Sequence, residues 1–385
     1  MSIDYADPKQ VACAWSALVE PGDESAGILV DALGAAQALE WVLSKPAADS
    51  LPSTLICDES GQERPWVRAL ARWLPRLEKL NVERDLEAID RVGGSVIYRG
   101  HPNWPVEFND LGNAAPHALW IRGELKQQMR VALVGARACT HYGRELARDF
   151  AWELTRAGKT VVSGGALGID TAAHAGAVRG GHTVAVMAGG VCNLYPRSNE
   201  ELFYSIMETG AIISEGSPFS RPARWRFLAR NRLIAAYCSA TIVVEAGYRS
   251  GALATLNRAL ELGRAVGAVP GSVFSSQSAG CHEAIRDGAS LVASAQQICE
   301  LVDPIGTQLE LTLPAKAAGE SKQSSPTNLS DAQQRVWDAL PRRGWASADN
   351  VACEAGLSMQ EVLPALAALV LAGQCRGGNG VYARS

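Results

Sequence analysis

Five arginines (221, 224, 226, 230 and 232), Trp225 and Phe227 fall within the thirteen residues of SRPARWRFLARNR, Ser220 to Arg232, with no acidic residue among them. A solvated helix face normally mixes both signs, because like charges three or four residues apart repel by roughly a few tenths of a kcal/mol. Guanidinium groups hold phosphates bidentately, and an aromatic ring beside them stacks on an unpaired base for about 1 to 3 kcal/mol. Charge combined with stacking surface points to single-stranded nucleic acid. The competing reading is an internal network in which these arginines pair with carboxylates such as Glu215 and Glu245.

Three glycine turns follow apolar runs: Gly135 to Arg137, Ser163 to Gly168 in SGGALGID, and Gly189-Gly190. Such turns bring backbone N–H groups close to an anion, but they also serve tight packing of strand on helix. There is no G-x-x-x-x-G-K-[ST], and SGGALG departs from the spacing of G-x-G-x-x-G. The six histidines form no H-E-x-x-H. His174 reads as a residue packed against a sheet, and Asp170 as a first-turn carboxylate that favours a helix dipole. No catalytic residue, cofactor or metal is assigned.

The elements that must position these residues are legible from Arg130 onward. RVALVG, TVVSGG, TVAVMAGG, AIISEG, ATIVVEAG, AVGAVPG and SLVAS are apolar runs of strand length, mostly separated by amphipathic helical patterns such as GRELARDFAWELTRAG. Strands without polar alternation, linked by helices, predict a doubly wound parallel α/β sheet buried on both faces. The arginine segment lies between AIISEG and ATIVVEAG, which places the start of its helix on the same carboxyl rim as the glycine turns. Before the sheet, residues from about 9 to 80 carry alanine-rich helical periodicity. After it, residues 304–329 are rich in Pro, Ser, Thr and Gly and read as a linker. The last segment, 330–385, shows three short helical patterns and a glycine-rich hairpin, the pattern of a winged helix-turn-helix.

Whole-chain numbers bound the function. The 385 residues carry 36 Lys and Arg against 40 Asp and Glu, a net charge of −4, so any nucleic-acid affinity must come from a local patch. Nine scattered cysteines without a C-x-x-C spacing suit reduced thiols. The first residues, MSIDYADPKQ, do not read as a signal segment, and no apolar run approaches a membrane span, so a cytoplasmic protein without membrane insertion is expected.

VALVGARACTHYG, VVSGGALGIDTAAHAGAV, YPRSN, SEGSPFSRPARWRFLARNRLIAA, VVEAGYRSGALAT and VPGSVFSSQSAGCHEAIRDGA, in this order, resemble the DNA-processing protein A family, DprA or Smf. The resemblance implies an extended Rossmann-like sheet at 86–303. It is flanked by a helical domain of sterile-alpha-motif or helix-hairpin-helix kind at 1–85 and by the winged helix at 330–385. It also implies a non-enzymatic, single-stranded-DNA-binding role in natural transformation, in which the protein protects incoming DNA and helps load the RecA recombinase as a homodimer. By position, its DNA site is formed by Arg137, Ser163, Gly164, Gly165, Arg224, Phe227, Arg230, Asn231 and Arg232, with Ser250 and Gly251 at the rim. Two departures stand out: Leu167 occupies a turn position where many members carry arginine, and FLARNR replaces F-P-x-R-N-R.

Two rivals remain at this stage. A nucleotide N-glycosidic-bond hydrolase on a related sheet would use a carboxylate such as Glu245, although five arginines exceed the need of a mononucleotide and the P-G-G-x-G-T motif is missing. A pure protein adaptor is the other. In the winged helix, SMQEVLPALAALVLAGQ has no Lys or Arg, and the segment's five basic residues equal its five acidic ones, which disfavours duplex readout.

Overall fold

The computed structural model describes residues 3–47, 50–51, 53–56, 66–303, 330–341, 345–378 and 380–384. Helices Pro8–Leu18 (α1), Glu24–Leu33 (α2), Ala35–Leu43 (α3), Ser53–Ile56 (α4), Trp66–Leu77 (α5) and Val82–Arg91 (α6) precede the sheet. Local signals start them: the Asp7 carboxylate accepts from the Lys9 amide with Pro8 at the first helical position, and the Asp23 carboxylate accepts from Ser25 and Ala26. Their apolar faces bury Trp15, Leu18, Leu29, Leu39 and Trp73, with Trp15 edge-on to Trp73 at 6.1 Å. The same core includes Trp120, Met187, Phe203 and Ile212, so helices and sheet belong to one compact unit, Met1–Thr307. The expected boundary at residue 85 falls within α6.

The strands are Ser95–Tyr98 (β1), Ala118–Gly123 (β2), Arg130–Val134 (β3), Thr160–Ser163 (β4), Thr183–Val186 (β5), Ala211–Ser214 (β6), Ala240–Val243 (β7), Ala265–Ala268 (β8) and Ser290–Leu291 (β9). They form one sheet in the order β1-β2-β6-β5-β4-β3-β7-β8-β9. The seven apolar runs are its seven parallel strands. β1 and β2, which sequence periodicity missed, add an antiparallel edge through Trp120↔Ser214 and Ile121↔Ile213. Connecting helices are His141–Arg156 (α7), Ile169–Gly180 (α8), Glu200–Thr209 (α9), Arg224–Tyr237 (α10), Gly251–Glu261 (α11), Ala279–Arg286 (α12) and Ala295–Val302 (α13). From β3 the chain winds one way to β4 and the other way to β7, and a crevice opens at such a reversal, beyond the carboxyl ends of the strands.

The second unit contains helices Asp331–Ala339 (α14), Ala348–Ala355 (α15) and Met359–Leu371 (α16). A three-stranded sheet joins them in the order Ala346–Ser347, Val381–Arg384, Cys375–Gly378. Helix α16 continues through Pro364. The expected linker, 304–329, lies outside the described residues. Among the described residues no single helix is long and apolar enough to cross a membrane.

Two imidazoles, the buried His174 and the half-buried His117, give the first unit a pH signature. The Nδ1 atom of His174 lies 2.9 Å from the Thr183 hydroxyl, which donates to the Val161 carbonyl at 2.7 Å, so Nδ1 is the donor. Burial, with Arg230 nearby, pushes this ring down to about 3. Burial likewise pushes His117, stacked on Trp15, down to about 4. Below the unfolded value near 6.5 the unfolded chain takes up protons that the folded chain refuses. Stability therefore falls as pH drops from about 6.5 toward 4, by up to about 1.4 kcal/mol per pH unit for each ring. A urea midpoint that stays constant over this range would show that these rings do not stay neutral.

Candidate nucleic-acid interface

A cleft of about 670 Å³ opens at the carboxyl ends of β3 and β7. The turn after β3 contributes Gly135 and Arg137, the first half of α10 contributes Arg224, Phe227, Arg230 and Asn231, and the start of α11 contributes Ser250 and Gly251. Two helix N-termini face it, and their amide ends favour an anion. At α11 the Ser250 hydroxyl accepts from the Ala252 amide at 3.2 Å. At α10 the first residue of the helix is preceded by Ala223, no side chain caps the amides, and the first turn carries no acid. Asn231 donates from Nδ2 to the Gly251 carbonyl at 3.2 Å and ties the two helices together.

Phe227 is the aromatic centre of the cleft. The Arg137 guanidinium sits over its ring at 5.0 Å from the centroid, and Tyr195 meets it edge-on at 6.0 Å. Arg137, Arg224 and Arg249 are exposed along the cleft, and none has a carboxylate partner among the described residues.

Arg230 forms the floor. It is 6% exposed, donates from Nη1 to the Val186 carbonyl at 2.6 Å, and its Nε is buried without a partner. Burial pushes its guanidinium down to about 10, with Asp170 pulling the other way. Gly164 exists for this side chain, since a Cβ there would lie 1.9 Å from Arg230 Nη1. Gly165 takes the left-handed φ of +66° that closes the turn, and its carbonyl accepts from Asn199 Nδ2 at 3.1 Å. The amides of Gly164 and Ala166 donate to the Asp170 carboxylate at 3.2 and 3.3 Å, so the anion in this glycine turn is the chain's own. Burial pushes the Asp170 carboxyl up, against the pull of Arg230 and these amides.

The other sequence candidates lie away from the cleft. The Ser163 hydroxyl is fully buried and donates to the Leu133 carbonyl at 2.6 Å, beneath the floor. Arg232 points away from the cleft. Its Nη2 lies 2.7 Å from both Glu215 oxygens, and Glu215 also accepts from the Gly22 amide at 3.2 Å. Arg226 forks onto Glu20 at 2.8 and 2.7 Å, beside Arg76 and the Trp225 indole at 3.2 Å. Burial raises the Glu20 carboxyl, but hydrogen bonds from Arg226 and Arg76 outweigh it and hold the group down at about 2. Both competing readings of the arginine segment thus have members: Arg226 and Arg232 bind carboxylates, while Arg224 and Arg230 face the cleft. Glu245 is spent on the start of α7, where its oxygens accept from the Thr140 amide at 2.8 Å and the Thr140 hydroxyl. Gly190 donates to the Ser220 carbonyl at 2.8 Å and holds the loop before α10 rather than an open cradle.

Residues 95–303 match the family described as DNA recombination-mediator protein A. The chain belongs to that family. Its relatives include a putative DNA processing protein DprA from Mycobacterium tuberculosis, 44% identical over 313 residues that cover 77% of this chain and 78% of the relative. The DNA processing protein DprA of Streptococcus pneumoniae is 42% identical over 198 residues, 51% of this chain and 70% of the relative. The X-ray structure of the Streptococcus pneumoniae DprA aligns with a TM-score of 0.59 at 30% identity, covering 79% of this chain and 100% of that one.

In this member of the DprA/Smf family, sequence reasoning missed Arg249 and Tyr195 as cleft residues. Arg249 stands in the quoted YRSGA beside Ser250, and its exposed charge was the available signal. Tyr195 stands first in the quoted YPRSN, but nothing in that motif places it at the cleft, because only the chain path after β5 brings it to Phe227.

Proposed function

We propose that this protein binds single-stranded DNA in the cleft between α10, α11 and the turn after β3, and that it does so without catalysis. The observation that carries the reading is Arg230, a guanidinium buried at the cleft floor with an unpartnered Nε and no ion pair among the described residues. A buried charge that no carboxylate contacts directly costs several kcal/mol, only part of which the nearby Asp170 offsets, and a phosphate would offset more of it. The exposed arginines and the Phe227 ring supply the backbone contacts and the stacking platform that single strands use. Against a glycosidic hydrolase stands Glu245, whose oxygens are occupied at the start of α7. We propose further that the protein protects strands and passes them to the RecA recombinase in natural transformation, acting as a cytoplasmic homodimer; the family's description as a recombination mediator supports the recombination part of this reading.

Fluorescence anisotropy over a salt series tests the site. Arg224→Ala weakens binding to strands of any sequence and lowers the slope of log K against log salt by about 0.7, the value of one phosphate contact. Phe227→Ala lowers affinity by about 1 to 3 kcal/mol with the slope unchanged. Wild-type affinity and slope in both variants would remove the cleft from the reading.

A chain ending at Asp303 keeps most of its affinity for single strands, because every cleft residue lies within the first unit. A loss beyond about tenfold, or 1.4 kcal/mol, with the oligomeric state unchanged would assign part of the site to the second unit.

A further inference from the structure

The carboxyl rim of the sheet carries a second feature beside the cleft. Phe274 is 95% exposed and Val273 79%, both in the loop between β8 and α12. Tyr248, in the loop after β7, is 68% exposed, and Tyr142, at the start of α7, is 55% exposed. Scattered single apolar residues on a surface are ordinary, but four large ones on two adjoining loops and the first turn of α7 mark an interaction surface.

These loops are joined at their bases. The Gly280 amide donates to the Ala246 carbonyl at 2.8 Å, and the Tyr142 hydroxyl donates to the Pro270 carbonyl at 3.4 Å. The tip holds its own shape: the Ser275 amide donates to the Ser272 carbonyl at 3.0 Å and the Phe274 amide to the Ser272 hydroxyl at 3.3 Å. The backbone of the tip is thus fixed without any packing of the Phe274 ring. The ring is presented to solvent on a braced turn.

The patch is continuous with the cleft. Tyr248 is followed directly by Arg249, Ser250 and Gly251, which line the cleft wall. The cleft stands over β3 and β7, and the Phe274 loop stands over β8, the next strand in the sheet. We infer that a single strand leaving the cleft runs along this rim from β7 toward β8 and stacks its bases on Tyr248 and then Phe274. The inference rests on the single-strand reading of the cleft. Exposed rings suit bases rather than phosphates, since every base offers a face to stack and stacking does not depend on sequence. The second segment of strand is therefore held by its bases alone, while the first is held by phosphates at Arg137, Arg224 and Arg230 and by stacking on Phe227.

Length dependence separates this extension from the cleft. Anisotropy on the full chain would compare a dT strand of about 6 nucleotides, enough for the cleft, with one of about 20. Tyr248→Ala and Phe274→Ala, both at exposed positions, are expected to weaken binding of the long strand about five- to tenfold each, with the short strand and the salt slope unchanged. Unchanged affinity for the long strand overturns the extension. Equal losses on both lengths also overturn it, by making the rings part of the cleft. A shift of oligomeric state in light scattering, with DNA binding intact, would assign the patch to a second copy of the chain instead. If the wild type binds neither strand, the cleft reading itself fails, an outcome distinct from all of these.

Discussion

Arg230→Met lowers affinity for single strands by about ten- to a hundredfold, while the chemical-denaturation midpoint moves by the equivalent of no more than about 1 kcal/mol. The first expectation follows from charge-assisted hydrogen bonds to phosphate, worth about 1.5 to 3 kcal/mol, concentrated at a donor already desolvated at the cleft floor. The second follows from the cost of the charge itself. Methionine fills similar volume, gives up the bond to the Val186 carbonyl and the attraction of Asp170, and relieves the burial of a guanidinium that binds no carboxylate directly. Because gain and loss nearly cancel, stability stays level while binding drops, as expected of a residue kept for a ligand rather than for the fold. A variant that binds a dT strand like the wild type, or one that unfolds several kcal/mol more easily, would show that Arg230 belongs to the scaffold.

Arg232→Ala, two positions along the same helix, produces the opposite pair of effects. Its partner Glu215 is buried, so removing the guanidinium strands a carboxylate that has left only the Gly22 amide and whatever water can reach it. Breaking a buried pair from one side costs about 3 to 5 kcal/mol. The pair also joins α10 to the N-terminal helices, where the Ser16 hydroxyl donates to the Glu215 carbonyl at 2.6 Å. Thermal unfolding and urea midpoints fall sharply, whereas affinity and salt slope, measured well below the new midpoint, stay within about twofold of wild type. Loss of affinity with stability intact would return Arg232 to the DNA site.

The contrast between these neighbours marks how far residue patterns reach. Seven apolar runs gave the seven parallel strands, because a strand buried on both faces is apolar at most positions, with small hydroxyls such as Ser163 and Thr183 among them. β1 is a short edge strand, and the apolar ALWI of β2 stands before the repeated strand-turn-helix unit, so its place in the sheet is set only by its pairing with β1 and β6. The chain order of runs and turns also placed the arginine segment on the carboxyl rim, where the cleft lies. What the pattern could not do was sort the arginines. A helix advances about 100° per residue, so five arginines in thirteen residues point in several directions. Their destinations depend on partners far away in the chain: Glu20 for Arg226, Glu215 for Arg232, and the space left by Gly164 for Arg230. The glycine turn after β4 carries the same lesson, since its amides are satisfied by Asp170, a residue that sequence position alone assigned to the helix dipole. Sequence by itself determined the sheet and the rim on which the site stands, because burial and chain direction act locally along each segment. Only the tertiary structure decided which cations stay unpaired, because pairing is settled between carboxylates and guanidiniums that the fold, not the spacing, brings together.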